Sequence, residues 1–361
     1  MKQILIVAVV TLFTIAGCSK DKEVVAPSYI LSVHKDTLDV TIKQAIQIEA
    51  SNHNNTDAQV QWFIDDKVVS TNEILNYSFE VSGFYQIKFR AENSAGIFEK
   101  KFTVNAEPII IPGGESKYVT KLFEYRPAPG QFINKSPGNI TSAESILNKS
   151  GLVTLGAWGG SIILGFDHTV LNNSGDDILV VGNPFTNFAE PGIVYVMRDD
   201  NGNGKPDDTW YELAGVSFDK EGYKRNFSVT YHKPALATDN VKWTDSEGNT
   251  GYILKNNAHK QGYYPEWEGD TYTLTGSWLS GNLDKSIPNN IKSFSYAWGY
   301  VDNTSGGDKL DIQNAVDKNG KPIQLKGIDF IKIQTAVMAD LGWLGELSTE
   351  IRSVEDLHFG K

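Results

Sequence analysis

The chain has 361 residues, 33 of them basic and 44 acidic, and it carries a net charge of -11. An acidic chain without a basic run repels phosphate backbones, so nucleic acid is excluded as an expected partner. Its length exceeds one average domain and predicts two. Thirty-three glycines and many Asn, Asp and Ser residues separate short aromatic and β-branched runs, a composition that predicts an all-β protein.

Residues 1–17 have the pattern of a bacterial signal peptide. Met1-Lys2 precedes an apolar run over residues 4–16, which is shorter than the roughly 20 residues of a membrane-spanning helix. Ile15-Ala16-Gly17-Cys18 reads as a lipobox, so we expect cleavage before Cys18 and acylation of that residue. Because Cys18 is the only cysteine, no internal disulfide is expected. An ordinary signal peptide with an incidental cysteine is the alternative.

Residues 18–26 are predicted to form a lipid-anchored tether. Ser19-Lys20-Asp21-Lys22-Glu23 resembles the charged segment that follows the acylated cysteine in lipoproteins of Bacteroidota-type bacteria. In those lipoproteins such charges are associated with export to the outer surface. The resemblance therefore implies a lipid-anchored protein of the outer membrane, exposed at the cell surface. Acyl chains contribute about 0.8 kcal/mol per buried methylene, so a multiply acylated cysteine holds firmly.

Residues 27–105 are predicted to form a small β-sandwich. Even positions over residues 38–50 are mostly apolar and odd positions mostly polar, as expected of a strand with one buried face. Residues 60–65, 79–87 and 91–96 resemble segments of PKD-like, immunoglobulin-type domains. Such domains are usually spacers, which implies that Trp62 is a core residue. A ligand-binding role for this domain is the alternative.

Residues 106–116 contain two prolines and two glycines and are predicted to be a semi-rigid linker. Residues 117–361 are predicted to be a larger, jelly-roll-like ligand-binding domain, because short strand-like runs recur there without a fixed repeat. Thr141-Ser142-Ala143-Glu144 has the pattern of a capping box and predicts one short helix there, running on into residues 145–148.

Five segments of the larger domain together resemble a family of Bacteroidota cell-surface lipoproteins that contain a PKD domain. They are FEYRPAPGQF at 123–132, LGAWGGSIILGFDH at 155–168, EPG at 190–192, WGYVDN at 298–303 and GWLGE at 342–346. The resemblance implies a surface location and an association with TonB-dependent outer-membrane uptake, of cobalamin or of glycans. The resemblance implies little about which residues bind a ligand or whether any reaction is catalysed.

Residues 199–207 match the beginning of a calcium-binding loop, with oxygen-bearing groups at alternate positions. The residues at positions 1, 3, 5, 7 and 9 are Asp199, Asn201, Asn203, Lys205 (through its carbonyl) and Asp207. Gly204 stands at position 6, where the loop turns sharply. Position 12 holds Trp210 instead of glutamate, so Asp208 or Glu212 would have to substitute. The pattern predicts a structural Ca²⁺; a plain hydrogen-bonded turn is the alternative.

Aromatic residues in Gly- and Pro-containing segments give the candidate ligand site. Loops on a rigid sandwich commonly carry binding residues, and flat rings suit sugars, corrin rims or protein partners. Pro265 interrupts strand pairing beside Tyr264, and Gly299 leaves room for close approach. The predicted ligand-binding residues are Tyr264, Trp267, Trp298 and Tyr300, with Asp302 as a polar partner. Burial of these rings in the core is the alternative.

Catalytic motifs are scarce in the chain. The six histidines lack metal-ligand spacing, and no nucleophile elbow, phosphate loop or zinc motif occurs. The sequence therefore predicts a non-catalytic surface lipoprotein that captures a small molecule, cobalamin or a glycan, beside an outer-membrane receptor. An adhesive protein that binds protein or matrix is one alternative. A glycan hydrolase is another, because its two carboxylates may be far apart in the chain.

Overall fold

A computed structural model describes residues 24–360. The expected signal peptide, Cys18 and the first residues of the tether lie outside these residues. No helix in the described part of the chain has the length and apolar character needed to cross a membrane. The chain divides into two compact units: the first contains the described residues up to Phe79 and Gly83–Ala106, and the second contains Glu80–Ser82 and the residues from Glu107 onwards.

The first unit folds into two sheets around an apolar core. Its strands are β1 (Tyr29–Leu31), β2 (Thr37–Thr41), β3 (Ile46–Asn52), β4 (Gln59–Ile64), β5 (Lys67–Ser70), β6 (Ile74–Tyr77), β7 (Gly83–Asn93) and β8 (Gly96–Glu107). One sheet has the order β1-β3-β6 and the other β2-β8-β7-β4-β5. Alternate residues of β7 are buried, as its period-2 pattern predicts.

Trp62 lies at the centre of this core. It is fully buried, its indole nitrogen donates a hydrogen bond to the Asn72 carbonyl at 3.0 Å, and its ring lies 4.8 Å from that of Phe89. The predictions of an N-terminal sandwich and of a core role for Trp62 are therefore confirmed.

The second unit contains the remaining strands. They are β9 (Lys121–Arg126), β10 (Val153–Thr154), β11 (Ser161–Leu171), β12 (Ile178–Val181), β13 (Gly192–Met197), β14 (Trp210–Leu213), β15 (Lys224–His232), β16 (Val241–Asp245), β17 (Thr250–Ile253), β18 (Thr271–Trp278), β19 (Leu283–Asp284), β20 (Lys292–Ser293), β21 (Asp308–Leu310), β22 (Ala315–Val316), β23 (Gly327–Thr335), β24 (Glu350–Ile351) and β25 (Ser353–Asp356). One helix, α1 (Ile140–Glu144), and one 3-10 helix, Ile312–Asn314, are also present among the described residues.

A six-stranded sheet of order β22-β14-β13-β23-β11-β9 and a three-stranded sheet of order β21-β12-β25 share one apolar core. Ile162, Val194 and Ile331 from the large sheet and Val180 from the small one meet in it. A four-stranded sheet, β17-β16-β15-β18, has a second core around Trp158. The predicted all-β class is confirmed, and this extra sheet goes beyond the single sandwich that was expected.

Two local predictions need adjustment. Helix α1 starts before the proposed capping box, because the Asn139 side chain caps it by accepting a hydrogen bond from the Ser142 amide at 2.9 Å. Within residues 106–116, the Ile111 amide donates to the Thr169 hydroxyl at 3.0 Å, and the Thr169 amide donates to the Ile111 carbonyl at 3.0 Å. This part of the expected linker is therefore bound to β11.

Candidate functional site

A cleft of about 450 Å³ opens between three loop segments of the second unit. The segments are the loop after β12, the chain around β20 and the loop before β21. None of the lining residues is charged, and we call the site the neutral cleft. Its lining consists of Pro184, Phe185, Thr186, Asn187, Ala189, Ser293, Phe294, Ser295, Asn303, Thr304 and Ser305.

Exposed aromatic rings flank the neutral cleft. Phe185 is 61% exposed and Phe294 is 37% exposed. The Phe188 amide donates to the Phe185 carbonyl at 2.9 Å and closes a tight turn that presents Phe185. The Phe188 ring meets Trp343 edge to face at 5.7 Å, and Trp343 is 63% exposed. Trp343 therefore extends the aromatic surface beyond the cleft.

Ser293 joins two walls of the neutral cleft. Its amide donates to the Asn187 carbonyl at 2.9 Å, and its carbonyl accepts from the Ala189 amide at 2.8 Å. The Ser293 hydroxyl oxygen is buried and has no hydrogen-bond partner among the described residues. An unsatisfied buried hydroxyl costs about 1–3 kcal/mol, which a ligand group reaching it would offset.

Asp302 holds both ends of the loop that carries Phe185. Its side chain is fully buried, and one carboxyl oxygen accepts a hydrogen bond from the Asn183 amide at 2.6 Å. Its carbonyl accepts from the Glu190 amide at 3.0 Å, and its second carboxyl oxygen accepts from the Glu350 amide at 2.7 Å. Asp302 is thus a positioning residue beneath the cleft.

Asn303 fixes a second wall of the cleft. Its side-chain oxygen accepts from the Tyr296 amide at 2.6 Å, and its side-chain nitrogen donates to the Tyr296 carbonyl at 2.8 Å. The Asp308 carboxylate in turn accepts from the Asn303 amide at 2.9 Å and from the Thr304 hydroxyl at 2.6 Å. These hydrogen bonds hold Asn303 and Thr304 in fixed positions along this wall of the cleft.

Buried carboxyl groups lie beneath the neutral cleft. Burial raises the pKa of Glu190 and of Asp302 well above the ordinary range, and the Glu350 carboxylate raises both further. Burial also raises the pKa of Glu350. Since each shift favours the protonated form, these three carboxyl groups carry less negative charge than their number suggests.

The structure corrects three of the five predicted ligand residues. Tyr264, Tyr300 and Asp302 are buried and cannot form an exposed platform. For Tyr300 the adjacent glycine explains the burial, because a Cβ on Gly299 would lie 2.3 Å from the Gly215 Cα. Gly299 thus permits close packing that buries Tyr300, whereas the sequence analysis predicts an open loop there.

The other two predicted rings are exposed. Trp267 and Trp298 each expose about half of their surface. Neither lines the neutral cleft, and their contribution to binding stays a prediction. Sequence reasoning missed Phe185 and Phe294. Pro184 and Asn187 around Phe185 are turn signals of the same kind that drew attention to residues 263–267, so the sequence alone did not distinguish them.

The loop proposed to bind calcium curls around the side chain of Asp199. Its two carboxyl oxygens accept from the Asn203 amide at 3.0 Å and the Gly204 amide at 2.8 Å. The side-chain amides of Asn201 and Asn203 both donate to Asp207, at 3.1 Å each. The donors thus point at one carboxylate from two sides. The side-chain oxygens of Asn201 and Asn203 accept from the Asn203 amide at 3.0 Å and the Lys205 amide at 2.8 Å, so a cation bound here would have to replace hydrogen bonds that now close the loop.

Acidic and imidazole side chains alone do not form a metal site here. In residues 24–360 no group of three or more His, Cys, Asp or Glu side chains is arranged to hold a metal ion. A cation at this loop would depend on the Asn oxygens and on the Lys205 carbonyl, which accepts from the Asp207 amide at 2.9 Å. These are oxygen ligands of the kind that Ca²⁺ takes.

A family model described as a PKD-like domain matches residues 26–93. The fold and this match define an all-β protein with an N-terminal PKD-like domain. No curated protein sequence matches the chain significantly.

Several solved structures resemble the chain weakly. A quinonprotein alcohol dehydrogenase-like protein from Bacteroides thetaiotaomicron is 13% identical over 79% of this chain and 72% of its own, with a TM-score of 0.23. SGBP-B of the Bacteroides ovatus mixed-linkage glucan utilization locus, bound to a heptasaccharide, is 12% identical over 91% and 98%, with a TM-score of 0.21. A SusE-like protein is 9% identical over 88% and 95%, with a TM-score of 0.19. Scores this low do not identify the chain.

Proposed function

We propose that this protein is a non-catalytic binding protein that captures a neutral carbohydrate in the neutral cleft. The main support is that exposed Phe185 and Phe294 flank a cleft lined only by uncharged side chains. Aromatic rings offer flat apolar area to a sugar ring, and Ser, Thr and Asn side chains exchange hydrogen bonds with its hydroxyls. A charged ligand would lack a partner there.

The same lining favours capture over hydrolysis at this site. Glycoside hydrolysis uses two carboxyl groups that flank the scissile bond. No Asp or Glu is among the residues that line the neutral cleft. The carboxyl groups beneath it, such as Asp302, are buried and bind backbone amides of the surrounding loops.

The test is calorimetric titration of the full chain with neutral oligosaccharides and, in a separate arm, with cobalamin. Phe185→Ala and Phe294→Ala should each weaken binding of the neutral oligosaccharide by about 1–3 kcal/mol, or roughly tenfold or more. Tyr252→Ala is the matched control, because Tyr252 is exposed but does not line the cleft.

The outcomes separate the candidate ligands and sites. If folded Phe185→Ala and Phe294→Ala keep full affinity while Trp267→Ala or Trp298→Ala loses it, the ligand binds at the rings predicted from the sequence instead. If cobalamin binds and no oligosaccharide does, the carbohydrate assignment is wrong. Cleavage of any oligosaccharide by the chain would overturn the non-catalytic role.

The proposed location is the outer surface of the outer membrane, with the chain anchored through acylated Cys18. The lipobox and the charged residues after it support this location. Cys18→Ser should move the protein from the membrane fraction to the soluble fraction, whereas Ser19→Ala should leave it membrane-bound. Cys18→Ser protein that stays with the membrane would contradict the anchor. A TonB-dependent receptor is the proposed partner, and cross-linking in cells tests it.

A structural role for Ca²⁺ is also proposed, at the loop formed by Asp199, Asn201, Asn203, Lys205 and Asp207. Two observations support it. The side chains of four of these residues converge in one loop, and Gly204 adopts a positive φ of 73° at the sharp turn.

A further inference from the structure

We propose a second binding site in the second unit, which takes a small ligand that carries an oxyanion, either a carboxylate or a sulfate. The site is a pocket of about 240 Å³ on one face of the six-stranded sheet, and it shares no lining residue with the neutral cleft. We call it the cationic pocket. The lining residues that define it are Tyr195, Trp210, Glu212, Phe218, Arg225 and Lys332.

Strand register places three of these side chains in one row. Lys332 of β23 pairs with Tyr195 of β13, and Tyr195 pairs with Glu212 of β14. Residues directly opposite each other across a sheet point to the same face, so the row crosses the pocket. The other face of these strands carries the apolar core, including Val194 and Ile331.

Lys332 brings an unpaired positive charge to the pocket. Its ammonium lies 5.4 Å from the centre of the Tyr195 ring and makes no hydrogen bond or ion pair within residues 24–360. Burial lowers the pKa of Lys332, although the Glu124 carboxylate acts in the opposite direction. An ammonium withdrawn from water without an acceptor is unfavourable, and an anionic ligand group would supply the missing partner.

Arg225 offers a second unused donor. Its guanidinium stacks over the Phe218 ring at 4.9 Å, and one terminal nitrogen pairs with Asp219. Its Nε is buried and has no hydrogen-bond partner among the described residues. The planar guanidinium donates well to oxyanions, so the free Nε suits a ligand oxygen.

Among the described residues Lys332 contacts no carboxylate, whereas Arg225 is already paired with Asp219 through one terminal nitrogen, which leaves its Nε as the unused donor. The two carboxylates that line the pocket, Glu212 and Asp317, make no direct ion pair with either cation in this part of the chain. Glu212 accepts a hydrogen bond from the Tyr223 hydroxyl at 2.6 Å and another from the Ser277 hydroxyl, and burial raises the pKa of Glu212. Asp317, at the rim, accepts from the backbone amides of Asn319 at 2.8 Å and Lys321 at 2.9 Å. Both are committed to other donors.

The walls of the pocket select a compact ligand with a flat or apolar face. Trp210 and Phe218 supply aromatic area beside the two cations. A volume of about 240 Å³ is below the usual range for drug-sized ligands, which fits one acidic sugar residue or a similar small acid. This site is independent of the neutral cleft, so either assignment stands if the other fails.

The experiment is titration of the full chain with glucuronate, glucose 6-sulfate and glucose at low salt. One or both acidic sugars should bind, with an affinity that falls as NaCl is added, and glucose should bind at least tenfold more weakly. Which acid binds decides between carboxylate and sulfate. Lys332→Met keeps an unbranched side chain only one atom shorter and removes the charge, and it should weaken binding of the acid at least tenfold. Arg225→Gln should act in the same direction.

Two controls isolate the cationic pocket. Lys242→Met removes a lysine charge that does not line the pocket and should leave acid binding unchanged. Phe185→Ala, in the neutral cleft, should also leave binding of the acidic sugar unchanged. The two assignments, carbohydrate binding in the neutral cleft and acid binding in the cationic pocket, can therefore fail separately.

A stability measurement excludes a purely structural role for Lys332. Without ligand, Lys332→Met should melt at the same temperature as wild type or higher, because it removes a poorly solvated charge. It should lose the thermal shift that the acidic sugar gives wild type. Absence of binding of either acid to wild type would overturn the site. Wild-type acid affinity in both folded variants, Lys332→Met and Arg225→Gln, would overturn it as well.

Discussion

The interiors of the two units are built from different chemistry. The buried side chains among residues 24–106 are all apolar, whereas the second unit buries ionisable groups that include Asp177, Glu190, Asp302 and Glu346. Apolar burial is non-directional and scales with area, while a buried carboxyl group needs specific donors. The difference indicates that the first unit is held by apolar packing and strand pairing without buried carboxyl groups among residues 24–106, whereas the second unit depends on the protonation of its buried carboxyl groups.

A change of pH should have the largest effect on the difference in stability between the two units. Burial raises the pKa of Glu346 from its ordinary value of 4.5 to about 8. The folded state then holds this proton more tightly than the unfolded state, so the stabilisation is complete below pH 4.5. It is lost as pH rises towards 8, and the loss amounts to about 4–5 kcal/mol. Thermal unfolding from pH 4.5 to 8.5 should show the second unit weakening.

Glu346→Gln tests whether this group is responsible. One Glu346 carboxyl oxygen accepts from the Gln131 amide at 2.6 Å, and the other is buried without a partner. Glutamine preserves the first bond and cannot ionise, so its unfolding should depend less on pH. Glu221→Gln, at an exposed position, is the control. An unchanged pH profile in Glu346→Gln would contradict this assignment.

A packing defect in the first unit should have the next largest effect. Trp62→Ala removes a fully buried indole and should destabilise the first unit by about 3–5 kcal/mol. Carbohydrate affinity of the folded protein should stay within twofold, because the ligand is assigned to the second unit. Differential scanning calorimetry and titration at low temperature measure the two quantities. Phe84→Ala, at an exposed ring, should change stability by less than about 0.5 kcal/mol.

Removal of calcium should have the smallest effect of the three. A ligand that binds only the native state stabilises it by about 2.7 kcal/mol at a hundredfold excess over its dissociation constant. Chelation should therefore lower the melting temperature of the second unit and leave the first unchanged, and Asp199→Ala should remove this sensitivity. Identical melting of wild type with and without Ca²⁺ would leave the loop as a hydrogen-bonded turn.

Much of the first unit could be predicted from the sequence because its signals are local. Alternation in β7 and the burial of Trp62 follow from period-2 patterning, and the structure matches both. In the second unit a short helix was also predicted near residues 141–148, but Asn139 caps it and it covers only Ile140–Glu144, so the predicted continuation into residues 145–148 is wrong.

The candidate site could not be predicted in the same way, because it depends on contacts between distant segments. Phe185 and Phe294 meet at one cleft although more than a hundred residues separate them. Burial of Tyr300 depends on Gly299 approaching Gly215, which no local pattern contains. The sequence also could not predict that the Lys332 ammonium lacks a partner, because its neighbours are set by the register of β13 against β23.

The manner in which Asp302 holds its loop bears on how this protein diversifies. Its carboxyl oxygens bind the backbone amides of Asn183 and Glu350, and they bind no side chain of residues 184–188. Substitutions at Phe185 or Thr186 therefore leave the attachment points intact. In the proposed site, shape and selectivity are therefore assigned to separate residues, so a lineage, or a randomised library, can alter the tip of the loop while its frame is inherited unchanged.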